Sequence, residues 1–456
     1  MSNVSSKMYG HRSGISTMLV VAVVVIIIII AGVGAAVALS KGTTVTINNT
    51  STVTTGSTVT TGVTSLVTSG VTTVVTSGVT SVVTTGITSV VTSGVTSVVT
   101  STASSCAVPG SGITLNGAGG TLIFPVMTSW TFAFHQVCPN VQVNYASVGS
   151  GAGIAAITGK TADFGESDAP LTAAQYAALP ATLDTIPISA SAVVPAYNLP
   201  NSTGNGNIAN GLKFTGAILA RIFLGNITMW NDPAIAAINP GVALPAHAIV
   251  VIHRSDSSGT MFAFTNYLSD SSAQWKTQVG KATNPNWPTG IGCKGNEGVA
   301  GCVSNNKYSI GPLEIAYEIT NAGLINYGAV ANAAGNYILA NLTNAQAAVS
   351  AAGSTALPAG NGTWTSVSII DSIYNNTQAS TAYPITTFTY ALLYQAQTNQ
   401  VQGQAAVGFI WWVVNSGQSA GTNIGYVPLP SNVVTLDDKT LNSITYNGAP
   451  IHTGTM

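Results

Sequence analysis

What most constrains the fold of this chain is a unit that recurs after Cys106: an extended stretch, a turn of small residues, then an apolar helical stretch. ITLNGAGG runs as a strand into a glycine turn, and a helix is predicted from about Pro125 to Val137. VQVNYASV reads as a strand, GSGAGIAAIT as turn and helix, and TADFGESDA as strand and turn. IVVIHRSDSSGT followed by MFAFTNYLS repeats the theme. This βα alternation predicts α/β lobes, with ligands at the carboxyl ends of the strands.

The region ahead of Cys106 obeys other rules. A polar head, residues 1–17 with Lys7, His11 and Arg12, precedes an unbroken apolar run over 18–39 that includes Ile26 to Ile30. The run carries no charge and is about the ~20 residues that cross a bilayer. Positive charge before it, and only Lys41 soon after, place the N-terminus inside and the remainder outside. It is longer than a usual cleaved apolar region and lacks a clear Ala-x-Ala end. The junction Arg12-Ser13-Gly14-Ile15-Ser16 resembles archaeal pilin-type (class III) signals, which are cut before the apolar run and leave it attached. By either route the N-terminal helix anchors the protein to the cell membrane, with the bulk of the chain on the extracellular face.

Residues 40–105 are almost entirely Thr, Ser, Val and Gly. The octads GVTSLVTS, GVTTVVTS, GVTSVVTT, GITSVVTS and GVTSVVTS open at Gly62, Gly70, Gly78, Gly86 and Gly94. An apolar stripe with this period would drift by ~80° per unit around an α-helix. β-branched residues and recurring Gly also oppose helix. An extended chain keeps the same residues on each face, because eight is even. The segment is predicted to be an extended stalk, a substrate for O-glycosylation, reaching up to ~200 Å. A self-associating β-rich segment is the alternative.

Only 5% of the 456 residues are charged and the net charge is −1, so no basic surface points to nucleic acid. A surface of uncharged polar groups suits an acidic medium, where carboxylates protonate and unbalanced Lys and Arg repel. The four cysteines form no Cys-x-x-Cys pair and no His lies at metal-ligand spacing, which argues against a metal site. Their even number suggests two disulfides. Cys293 and Cys302 bracket a short Gly-rich loop, which leaves Cys106 with Cys138. Asn-x-Ser/Thr sequons at Asn201, Asn226, Asn341, Asn361 and Asn375 fit a glycosylated exterior.

The chemistry concentrates in three turns. Of three arginines, Arg12 precedes the membrane segment and Arg221 lies in AILARIFLGNI, an amphipathic helix that calls for a surface role. Arg254, in HRSDSSGT, sits between a strand and a helix among hydroxylic residues, where a guanidinium fork joins backbone N–H groups at a helix start. Gly117-Ala118-Gly119-Gly120-Thr121 and Ser147-Val148-Gly149-Ser150-Gly151-Ala152-Gly153 share the design. One such turn often only relieves backbone strain, whereas three can converge on a single oxyanion. Asp168, in DFGESDAP, would repel a fully deprotonated oxyanion but accepts a hydrogen bond from a protonated one. Phosphate near neutral pH still carries a proton and sulfate does not, so this carboxylate would select between them. Taken alone, an Asp before Ala-Pro is a cap or turn residue.

Over roughly residues 113–435 the chain resembles the periplasmic phosphate-binding proteins of phosphate ABC transporters. The matching stretches are GAGGTLIFP, VNYASVGSGAGI, ADFGESDAPL, IFLGNITMWNDPAIAAINPGVALP, VIHRSDSSGTMFAFTNYL, CKGNEGVAGC, SIGPLEIAY and YPITTFTY. The resemblance implies a type II periplasmic-binding-protein fold over 106–456, of two α/β lobes with a hinge. One lobe takes about 110–193 and 384–456, the other about 194–383, and the two close over phosphate. It implies that Thr121 and the Leu122 amide, Ser150, Asp168, Arg254, Ser258, Gly259 and Thr260 bind the ion, with Asp256 bracing Arg254. It further implies delivery to membrane permease subunits driven by an ATPase absent from this chain, without cofactor or catalysis. Leu122 stands where the family usually has Phe, and the Cys pair around KGNEGVAG is a local staple outside the pattern.

The rival reading is a surface-layer or filament protein that reuses such a domain, suggested by the pilin-like start and the octads. A phosphatase lacks an activated nucleophile, and arsenate would suit the same turns. His253 reads as a packed strand residue rather than a base. GKGNEG lacks the Gly-Lys-Ser/Thr ending of a nucleotide loop. FIWWVVN reads as a buried element, with a partner surface as the alternative.

Overall fold

A computed structural model describes residues 106, 108–110, 112–203, 206–352 and 357–451. The expected anchor at 18–39 and stalk at 40–105 lie outside the described residues, among which no helix is long and apolar enough to cross a membrane.

The recurring units fold as their pattern dictates. Strand β1 (Ile113–Gly119) leads to helix α1 (Phe124–Val137), which opens on Pro125, a residue whose missing N–H is no loss in a first turn. Strand β2 (Val141–Ser147) leads to α2 (Ser150–Thr158), followed by β3 (Phe164–Ser167). The second set comprises β4 (Leu183–Asn198), β5 (Val250–Arg254), α3 (Gly259–Ser271), β6 (Ile291–Cys293), α4 (Gly295–Asn305) and β7 (Ser309–Glu314). The chain returns through β8 (Thr386–Tyr394) and α5 (Gln400–Asn415).

These strands form the main path of one mixed sheet in the order β2-β1-β3-β8-β4-β7-β5-β6. β1 runs parallel to β2 and β3, and β5 parallel to β6 and β7. β4 is the shared member. Leu183–Ala192 pairs antiparallel with β8, whereas Val193–Asn198 pairs antiparallel with β7. All sixteen of its residues are buried, the polar Asp184, Thr185, Ser189, Ser191 and Asn198 among them. The returning chain crosses beside the change of partner, where Val193 N–H donates to the Ile385 carbonyl and Tyr383 Oη to the Val193 carbonyl, both at 2.9 Å. Two half-sheets thus meet at a narrow pair of strands.

The stretch around Gly360–Thr365 departs from the expected partition. It falls within the span assigned to the second lobe, yet packs on the first half. Thr185 N–H donates to the Gly360 carbonyl at 2.8 Å, Thr365 Oγ1 donates to the Leu171 carbonyl at 2.9 Å, and the buried Trp364 ring meets Tyr390 edge-on at 5.7 Å. Burial of one large indole decides the placement, and local sequence pattern carries no trace of it.

Cys293 is bonded to Cys302 and Cys106 to Cys138. Phe409, Ile410, Val413 and Val414 of FIWWVVN are buried on α5. Asn226, Asn341, Asn361 and Asn375 are exposed, and Asn201 is half-buried.

Candidate anion-binding site

The turns after β1, β2, β3 and β5 gather where the carboxyl ends of strands from both half-sheets face each other. Parallel strands that each enter a helix place their turns on the same edge, and the crossing strands bring the two edges together. Contacts across the junction are direct. Gly151 N–H donates to the Ser257 carbonyl at 3.3 Å, and Gly259 N–H to Ser150 Oγ at 3.1 Å.

Gly149 and Gly259 make this approach feasible. Gly149 has φ +94°, and a Cβ there would lie 2.7 Å from Asp256 Oδ2. Gly259 opens α3, and a Cβ there would lie 2.3 Å from Asp168 Cβ.

Arg254, at the end of β5, is 1% exposed. Its Nε donates to Asp256 Oδ1 at 2.7 Å and its Nη2 to Asp256 Oδ2 at 2.5 Å, a bidentate fork that fixes the guanidinium plane. Burial opposes the Asp256 carboxylate, but its bonds to Arg254 prevail and hold its pKa below the usual value. Arg254 Nη1 is buried without a partner. Asp168, just after β3, is likewise buried. Its Oδ2 accepts from Ser150 Oγ at 3.1 Å, while Oδ1 has no partner. Burial raises its pKa, against the bonds it accepts and the charge of Arg254.

Ser150 Oγ accepts from the amides of Asp168 and Gly259, so its single hydrogen goes to Asp168. The hydroxyl is thereby engaged within the protein, at the first residue of α2. Ser258 caps α3, accepting from Met261 N–H, and its own amide donates to the Thr283 carbonyl at 2.8 Å. Leu122 is buried and its carbonyl accepts from Tyr426 Oη at 2.5 Å. Thr121 and Thr260 are buried and linked by a residue to which the sequence reading gave no role. Asn296 donates to Thr121 Oγ1 through both its amide and Nδ2 at 2.9 Å, and to Thr260 Oγ1 through Nδ2 at 3.1 Å. The signal for Asn296 was the GNEG stretch between the cysteines, which opens α4 where the sequence suggested a Gly-rich loop. Arg221 lies exposed on a short helix away from this set. His253 stacks on Trp287 at 4.8 Å, its Nδ1 bonds the Arg254 carbonyl at 2.9 Å, and burial lowers its pKa.

Two buried carboxyls complete the surroundings. Glu314, on β7, accepts from Ser191 Oγ and Ala316 N–H, and burial pushes its pKa up to about 8. Glu166 lies behind Asp168 on β3. The site offers an unpartnered carboxylate oxygen at Asp168, an unpartnered charged donor at Arg254, an unpartnered hydroxyl at Ser147, and the N-termini of α2, α3 and α4.

The description of a PBP superfamily domain matches residues 48–416. The phosphate-binding protein PstS of Xylella fastidiosa (strain 9a5c) is 39% identical over 323 residues, covering 71% of this chain and 83% of that protein. PstS of Pasteurella multocida is 40% identical over 324 residues, covering 70% and 88%. A phosphate-binding protein structure from Stenotrophomonas maltophilia aligns with TM-score 0.52 and 17% identity, covering 74% of this chain and 96% of that one, and speaks to the fold alone. With four-fifths or more of such relatives spanned and the strand-end turns in place, this chain belongs to the PstS phosphate-binding protein family of the periplasmic-binding-protein superfamily.

Proposed function

We propose that this protein is an extracytoplasmic solute-binding protein that captures inorganic phosphate in a cleft between two lobes and delivers it to the permease of an ABC transporter. One observation carries the reading: Asp168 Oδ1 and Arg254 Nη1, from opposite half-sheets, are both buried and unpartnered. An anion that still bears a hydrogen satisfies the acceptor and the charged donor together. Phosphate is such an anion near neutral pH, and sulfate would leave Asp168 facing an unmatched oxygen. The relatives from Xylella and Pasteurella, named as phosphate-binding proteins, support the ligand class.

In this reading Thr121 and the Leu122 amide serve from the first turn and the start of α2 at Ser150 from the second. Asp168 accepts the phosphate hydrogen and Arg254, braced by Asp256, supplies the charge. Ser258, Gly259 and Thr260 contribute at α3. The fold is type II, with lobes at about 110–193 with 384–456 and about 194–383, less the Gly360–Thr365 stretch. The closed form docks on the permease. Residues 18–39 anchor the chain to the cell membrane and 40–105 hold the binding domain away from it. Calorimetric titration with phosphate and with sulfate at two pH values tests the core of this reading. Phosphate should bind and sulfate should not; equal affinities would overturn it.

A further inference from the structure

Glu166 lies on β3 behind the cleft, two residues before Asp168, which follows the strand. It is fully buried. Its Oε2 accepts from Gly120 N–H at 2.5 Å and Tyr145 Oη at 2.8 Å, and its Oε1 from Thr389 Oγ1. Gly120 presses on both acids at once, since a Cβ there would lie 2.3 Å from Asp168 Oδ2 and 2.9 Å from Glu166 Oε2. The two carboxyls are thus buried close neighbours on either side of one glycine. Two ionised carboxylates so placed repel each other, and a proton on one of them relieves the pair.

The surroundings say which one. Facing the pair are Gly120 N–H from the first turn, Tyr145 from β2, Thr389 and Tyr390 from β8, Arg254 from β5, Glu314 from β7, and Tyr317. Arg254 is the one cation of this set, and two of its nitrogens are committed to Asp256. Two ionised carboxylates beside a bound anion would therefore lack counter-charge in a buried site. Asp168 must stay an acceptor to meet the hydrogen of the ligand, which leaves the proton to Glu166. Burial, followed by the charge of Asp168, pushes the Glu166 pKa well above the carboxylate range.

We propose that Glu166 is a positioning residue that takes up a proton when the anion enters, so that capture of a hydrogen-bearing oxyanion is coupled to protonation of the protein. The protonated carboxyl then holds Asp168 toward the ligand. This rests on the phosphate reading above.

The test uses the full chain and inorganic phosphate, with Kd measured from pH 6 to 9 for wild type and Glu166→Gln, a change that keeps the shape and an acceptor for Gly120 N–H. On the alkaline side the wild type should lose up to about tenfold more affinity per pH unit than E166Q, the slope of one linked proton. A second measurement needs no variant: calorimetry at pH 8 in two buffers of different ionisation enthalpy. It should report proton uptake by the wild type beyond that required by the ionisation of phosphate itself. Phosphate binding with parallel pH profiles, or with no such excess uptake, overturns the role of Glu166 alone. No phosphate binding by the wild type at any pH overturns the phosphate reading and this inference with it.

Discussion

Replacing Arg254 by Ala is the most direct perturbation of the cleft. The side chain is 1% exposed, and its Nε and Nη2 are held by Asp256 at 2.7 and 2.5 Å while Nη1 has no partner. Truncation removes the guanidinium and leaves the half-buried Asp256 charge uncompensated beside the ligand. Loss of one partner from a buried, hydrogen-bonded charge pair costs about 2–5 kcal/mol. At ~1.4 kcal/mol per tenfold, phosphate affinity should fall by roughly 30- to 4,000-fold. Isothermal titration reads this, with circular dichroism to verify the fold. Arg254→Lys keeps the charge but not the fork and should fall between wild type and Ala. Arg221→Ala, at an exposed helix position, should bind within about twofold of wild type. R254A binding within about fivefold of wild type, or a larger loss in R221A, would refute the reasoning.

Three more perturbations address other parts of the argument. Asp168→Asn replaces an acceptor by a group that also donates, so phosphate affinity should drop by about 1–3 kcal/mol and the preference over sulfate should shrink; unchanged selectivity in competition titration would contradict the proton-reading role. Gly259→Ala would put a methyl 2.3 Å from Asp168 Cβ, so it should hold the cleft apart and weaken phosphate binding at least tenfold without lowering Tm in proportion. Asp184 is unexposed with neither carboxylate oxygen partnered, and burial pushes its pKa from 3.8 up to about 7. The folded chain thus retains a proton there that the unfolded chain has released. Its contribution is favourable in acid and is lost as pH rises from about 4 to about 7, on the order of 4 kcal/mol in all. Tm should be higher at pH 5 than at pH 8, and Asp184→Asn should narrow the gap; a Tm that rises with pH would be the opposite result.

The alternation of strands and helices was legible because each unit carries its own signals: period-two burial in VQVNYASV, small residues at the turn, Pro125 opening α1. Arg254 and Asp168 stood out for a similar reason, as rare charged residues at strand ends of a chain with 5% charge. Asn296, Glu166 and Glu314 did not. A buried amide or acid is defined by what surrounds it, and their partners Thr121, Thr389 and Ser191 lie 175, 223 and 123 residues away. Trp364 is the apolar counterpart, placed on the first half-sheet by a pocket built from distant segments.

Sequence alone therefore determined the α/β units, the turn chemistry and the choice of an oxyanion, because these follow from local backbone preference and the valence of individual side chains. Only the tertiary structure decided that β4 changes partners between Ala192 and Val193, that Ser150 spends its hydrogen on Asp168, and that Glu166 lies against the same aspartate. Those facts depend on long-range packing, where burial sets which polar atoms find partners and which are left facing the cleft.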